Sequence, residues 1–171
     1  VLGRFFWYCC HRGSLFLSWR FGHLHIFRFP EHFFHEVLRQ LLAVVLQNKT
    51  SLGGLIIEGS NEIARLSPAL DNLTTVTSGL VLDNLVALTA TELINLRFVG
   101  AGLRIYRNRR MTHIVAENLE TTGGVFLSDL NAVMDASFDA LTTVNGTLAI
   151  RSCNLLTGTA LTNAFPQLRT V

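Results

Sequence analysis

Charge is scarce in this chain, cysteine is scarcer, and no apolar stretch is long. Charged residues are 15% of the 171 and the net charge is +2, too small a surplus to point to nucleic acid as a partner. The hydrophobic share is 49%, which excludes a disordered chain and supplies apolar side chains for one core. Three cysteines, Cys9, Cys10 and Cys153, are too few and of the wrong parity for a disulfide framework. Arg and His interrupt the N-terminal apolar segment every few positions, so no run reaches the roughly 18 residues of a spanning helix. No GxSxG, P-loop, GxGxxG or HExxH spacing occurs. Catalysis has no foothold in such a sequence, and neither a cofactor nor a metal is expected.

What is present divides into two regimes. Residues 1–50 carry six Lys and Arg against two acids, and residues 51–171 carry eight against ten. Eleven of the 16 aromatic residues precede position 35. The boundary falls near Gln47 to Ser51. The chain opens on Val1 and stops at Val171 inside a repeat, which predicts a fragment whose signal peptide or membrane anchor could lie outside it.

Residues 51–171 repeat themselves. A short apolar motif opens each unit: GLII at 54–57, GLVL at 79–82, GLRI at 102–105, GVFL at 124–127 and TLAI at 147–150. Its first apolar residues, Leu55, Leu80, Leu103, Val125 and Leu148, are spaced by 25, 23, 22 and 23. Alternation inside the motif is that of a half-buried strand. A second motif follows later in each unit, with Leu73, Leu96, Leu119, Leu141 and Leu168 preceded at three residues by Leu70, Leu93, Ala116, Phe138 and Phe165. The last unit is the longest, and CNLLTGTALTNAF there holds a small insertion, expected as a loop on one side. Glycines before the first strand (Gly54, Gly79, Gly102, Gly124, and Gly146 one place early) suit corners needing positive φ.

Asparagine supplies a further regularity. Asn61, Asn84, Asn108, Asn131 and Asn154 recur just after the first strand, and Asn72, Asn95 and Asn118 before the second. Stacked at turns of successive coils, such amides satisfy each other and the exposed backbone, a structural ladder preferred to a row of catalytic amides. One unit cannot bury its own apolar face, but about five stacked coils of some 23 residues can. The expected fold is mainly β: a right-handed parallel β solenoid with sheets on more than one side, capped by an N-terminal helix.

The pattern L-x-x-V-x-x-G-L-x-I-x-x-x-N-x-x-x-x-L, as in LTTVNGTLAIRSCNLLTGTAL at 141–161, resembles the receptor L-domain branch of the leucine-rich repeats. Units such as SFDALTTV and AFPQLRTV also resemble leucine-rich surface proteins of microbes. The resemblance covers residues 51–171 and not 1–50. It implies binding of proteins or glycans, or adhesion and cell-surface architecture.

In residues 1–50 a helix is expected over 30–47, with Pro30 in its first turn, Glu31 near its positive end and Phe33, Phe34, Val37, Leu38, Leu41, Leu42 and Val45 on one side. It would cover the first coil. Residues 1–29 lack the repeat, and the competing reading is an extension foreign to the natural protein. Cys9, Cys10, His11, His23, His25, His32 and His35 gather metal-binding residue types without ligand spacing, so a half-exposed His and aromatic segment is preferred to a metal site. Arg104, Arg107, Arg109 and Arg110 with Tyr106 form a basic patch in the third coil, read as a solvated turn beside acids of neighbouring coils. Sequons at Asn48, Asn72 and Asn145 lend weak support to secretion.

The outward positions of the first strand are the candidate binding surface. Ile56, Val81, Arg104, Phe126 and Ala149 form one row, and Glu58, Asp83, Tyr106, Ser128 and Arg151 the next. The expectation is a non-enzymatic repeat module, extracellular or on a cell surface, that binds a protein or glycan there. A purely architectural segment is the alternative, and an enzyme a distant third.

Overall fold

The computed structural model describes residues 46–171 in full and, as backbone, three N-terminal strands: β1 (Phe5–Cys10), β2 (Gly13–Arg20) and β3 (His23–Phe27). The expected helix over 30–47 lies outside the described residues except for its last two positions. Of these, Leu46 is buried in the core.

From Ser51 onward the chain winds as a β solenoid of about four turns. The first coil contributes β4 (Ser51–Leu52) and β5 (Gly54–Glu58), and the second β6 (Thr75–Val76) and β7 (Gly79–Asp83). The third adds β8 (Phe98–Val99), β9 (Gly102–Tyr106) and β10 (His113–Val115). The fourth adds β11 (Thr121–Thr122), β12 (Val125–Ser128) and β13 (Asp135–Ser137). The fifth has β14 (Thr143–Val144) and β15 (Leu148–Arg151), followed by the helix α1 (Gly158–Ala164).

Each coil therefore lays strands into parallel ladders. The long ladder runs β3-β5-β7-β9-β12-β15, with β2 and β1 continuing it antiparallel beyond β3. Aromatic and aliphatic side chains favour such extended backbone in these three strands, which the absence of a repeat had concealed. The short ladder joins β4, β6, β8, β11 and β14. A third, β10 with β13 and a bridge from Ala90 to His113, was missed in the sequence because its strands carry one buried residue each.

Register explains the repeat. Leu55, Leu80, Leu103 and Val125 pair in sequence and are all fully buried, as are or nearly are Ile57, Leu82, Ile105 and Leu127 two residues on. Each such leucine contributes about 2–5 kcal/mol relative to alanine. The leucines of the second motif, from Leu73 to Leu141, are buried at turns rather than within strands. The insertion of the last unit is a short helix, not a loop, and the Phe165 ring beside it stacks on Phe138 at 4.9 Å.

The corners after the long strands repeat as well. Gly59, Asn84, Arg107, Asp129 and Ser152 occupy one position and all have positive φ, between 51° and 68°. At the corners before the strands the expectation of positive φ holds for Gly102 alone, at 136°. At Gly146 and the neighbouring Gly123 small size is what matters, since a Cβ there would overlap the carbonyl oxygens of Gly123 and Gly100 in the coils before, whereas at Gly79 a Cβ would meet only ordinary contact.

Candidate functional site

The outer face of the long ladder brings the candidate residues together. Ile56, Val81, Arg104, Phe126 and Ala149 stand opposite one another on successive strands, and so do Glu58, Asp83, Tyr106, Ser128 and Arg151. Their strands put the intervening residues in the core, so alternation alone directs these rows outward. Arg104 and Arg151 are exposed, Asp83 is buried, and the other residues of the two rows are half-buried.

Two contacts organise the face. The Arg104 guanidinium lies over the Phe126 ring, 5.0 Å from its centroid, a cation–π pair across neighbouring strands. Arg107, at the corner of the third coil, reaches back to Asp83. Its Nε donates to Oδ1 at 2.8 Å and Nη2 donates to Oδ2, a bidentate bond. The Asp83 side chain is 9% exposed and that of Arg107 61%, so a nearly enclosed carboxylate is neutralised by a cation that still meets solvent. The hydrogen bonds that Arg107 donates to Asp83, and the charge of that carboxylate, hold the Arg107 guanidinium above its ordinary pKa, so it stays charged throughout the accessible range.

Of the basic patch, Arg107 is thus occupied by an acid of the neighbouring coil. Arg104, Arg109 and Arg110 are exposed. Sequence reasoning named Asp83 and Arg107 without pairing them. The signal was their separation of 24 residues, one repeat length, which places the two on adjacent coils. Arg104 and Phe126, 22 apart, carry the same signal.

The asparagines divide. Asn72, Asn95 and Asn118 share a position, and each donates from Nδ2, at 2.6 Å, to a backbone carbonyl of the preceding coil: Gln47, Asp71 and Ile94 respectively. The row after the first strand is not in one register. Asn84 is the positive-φ corner itself, Asn108 follows that corner by one residue, and Asn61, Asn131 and Asn154 follow it by two. Asn154 donates to Asn131 Oδ1 at 3.4 Å, whereas Asn108 is wholly buried and bonds to backbone. Variable corner length, which shifts the spacing by single residues, conceals this from a count.

Among the described residues no three of His, Cys, Asp and Glu lie close enough to share a metal ion, and no helix is long and apolar enough to cross a membrane. The side chains of Cys9, Cys10, His23 and His25, and the whole of His11, His32 and His35, lie outside the described residues. Of the sequon asparagines, Asn48 and Asn145 are exposed, and the Asn72 amide is engaged with Gln47. Comparison of the chain with protein-family models, with curated proteins and with solved structures finds no match.

Proposed function

We propose that this chain is a non-enzymatic repeat module that binds a protein or a glycan at a cell surface through the outer face of its long ladder. Its coils are read as leucine-rich repeats of the receptor L-domain kind. The observation that supports binding is the contrast between the two sides of the same strands. Inward positions hold only Leu, Ile and Val, whereas outward ones run from Ile56 and Val81 through Arg104 and Phe126 to Ala149. A face that needed only to be wet would have no use for half-exposed aliphatic and aromatic side chains beside an arginine held by a ring. Such a mixture, an aromatic anchor with a preorganised guanidinium, is common at the centre of recognition surfaces.

The test is capture on arrays of glycans and of secreted-protein ectodomains. Wild type should be retained by a defined set of spots, and the Arg104→Ala/Phe126→Ala variant should lose those spots with folding stability unchanged within about 0.5 kcal/mol. Equal retention of both proteins refutes the face as the binding surface. The architectural alternative draws on the partial burial of Ile56, Val81 and Phe126, and it requires the double variant to lose stability instead.

A further inference from the structure

Between Glu92 and Glu117 lie 24 residues without an acid, a whole coil, and they carry five arginines: Arg97, Arg104, Arg107, Arg109 and Arg110. Acids of the flanking coils neutralise two of them. Arg97 Nη1 donates to Glu120 at 3.1 Å, and Arg107 holds Asp83, with Asp129 adding its charge from the other side. Stacking denies the other three such a partner. Arg104 is flanked on its ladder by Val81 and Phe126. Arg109 follows the positive-φ corner by two residues, a place taken by Val86 in the coil before and Asn131 in the coil after. Arg110 follows the corner by three, in a column with Ala87 and Ala132. All three arginines are exposed, and among the described residues none of them forms an ion pair.

What surrounds these cations is polar without being charged. Asn131, exposed in the column of Arg109, accepts at Oδ1 from Asn154 at 3.4 Å, which leaves its Nδ2 as a donor. Tyr106 lies on the outward side between Arg104 and the corner, half-buried, with a hydroxyl that can donate and accept. Arg104 is tied over the Phe126 ring and stands three strand residues, about 10 Å, from the Arg107 corner. No single small anion takes all three free cations. A polymer with anionic groups along its length does.

We infer that the third coil, from Arg104 round the corner to Arg109 and Arg110, binds a sulfated polysaccharide. Charge complementarity carries the assignment. Three free guanidinium groups within seven residues call for a densely charged chain, and their planar forks take sulfate oxygens as Arg107 takes those of Asp83. The amide of Asn131 and the hydroxyl of Tyr106 match sugar hydroxyls, which donate and accept in the same way. Single-stranded nucleic acid offers a similar charge density but asks for open aromatic faces on which bases stack, and the Phe126 ring is already covered by Arg104. The inference rests on the reading of the outer face as a binding surface, to which Arg104 belongs. It names the ligand class and extends the surface past the ladder to a corner.

Calorimetric titration of the full chain with a heparin octasaccharide, at about 0.15 M NaCl, tests this. Wild type should bind, and Arg109→Gln/Arg110→Gln should bind about tenfold more weakly, the worth of two exposed ion pairs. Both side chains are exposed, so that variant should keep the wild-type Tm. Arg97→Gln removes a cation of the same coil that Glu120 already neutralises, and should leave the affinity unchanged. No binding by wild type overturns the inference. So does equal weakening by Arg97→Gln, since net charge alone then attracts the ligand. Equally tight binding of a hyaluronan fragment, which carries only carboxylates, or of a DNA oligonucleotide of matched charge also overturns it. Capture of proteins or neutral glycans that depends on Arg104 and Phe126, without heparin binding, overturns this inference alone and leaves the outer face as a binding surface.

Discussion

Asn108 stands in a column of inward corner residues otherwise made of Ser60, Leu85, Leu130 and Cys153, all buried. A buried amide costs free energy unless its groups are bonded, and both are. The Leu85 amide donates to Oδ1 at 2.7 Å, and Nδ2 donates to the carbonyl of Leu82 at 3.0 Å. Asn108→Ala leaves the Leu85 amide without an acceptor in a dry interior, so a loss of about 2–3 kcal/mol in chemical denaturation is expected. Asn108→Leu restores the apolar column and not the acceptor, and recovers only part of that loss. Cys153, in the same column, makes a second prediction. Burial raises its thiol above the ordinary value of 9.0, against hydrogen bonds from Leu130 and to Arg151 that lower it. The folded state thus holds this proton after the unfolded chain has released it. The stabilisation is whole below the unfolded pKa, near 9, and is lost as pH rises through the higher folded one. Denaturation midpoints measured between neutral and alkaline pH should fall more steeply for wild type than for Cys153→Ala. Equal slopes would show that this thiol contributes nothing.

At the scale of strands and corners, period and chemistry have different legibility. The long strands could be read directly, because Leu55, Leu80, Leu103 and Val125 alternate with polar or variable neighbours and face one core. So could a short ladder on another side, although its strands are two residues long and the motif leucines sit in the turns beside them. The third ladder could not, since HIV at 113–115 and DAS at 135–137 share no residue type and bury only Ile114 and Ala136. Nor could the Asp83–Arg107 bond be read as a pair, because contacts between coils depend on register, which corners of two or three residues shift. Those corners also explain why glycine recurs for a reason other than φ. On Gly123 a Cβ would run into the Gly100 carbonyl and the Ala101 backbone, neither of which can move without displacing a ladder. On Gly158, at φ 42°, it would meet nothing. Gly123→Ala should therefore cost at least about 2 kcal/mol, through overpacking, and shift the whole unfolding transition. Gly158→Ala should cost about 1–2 kcal/mol, the penalty of a left-handed backbone alone. If the order is reversed, coil separation is not what the corner glycines set.

Across the whole molecule each coil touches only its neighbours, so stability is a sum of coils and the interfaces between them. Interior coils have two strand neighbours on the long ladder. Among the described residues the fifth has one there, and it is held elsewhere by α1, by the ring stack of Phe138 on Phe165 and by the bond from Val144 to Thr170. Loss of the stack removes aromatic contact and buried area at the end of the array and nowhere else, a cost of about 3–5 kcal/mol when phenylalanine becomes alanine in a full core and less at half-buried Phe165. Local opening then becomes the cheapest route to exchange in that coil. Phe165→Ala should accelerate amide exchange through β13, β14 and β15, leave β5 and β7 at wild-type rates, and lower the main melting transition little. The interior ladders should exchange only by global unfolding in both proteins. Uniform acceleration from the first coil to the fifth would mean that the solenoid unfolds as one cooperative block, and that its end coil is no weaker than its middle.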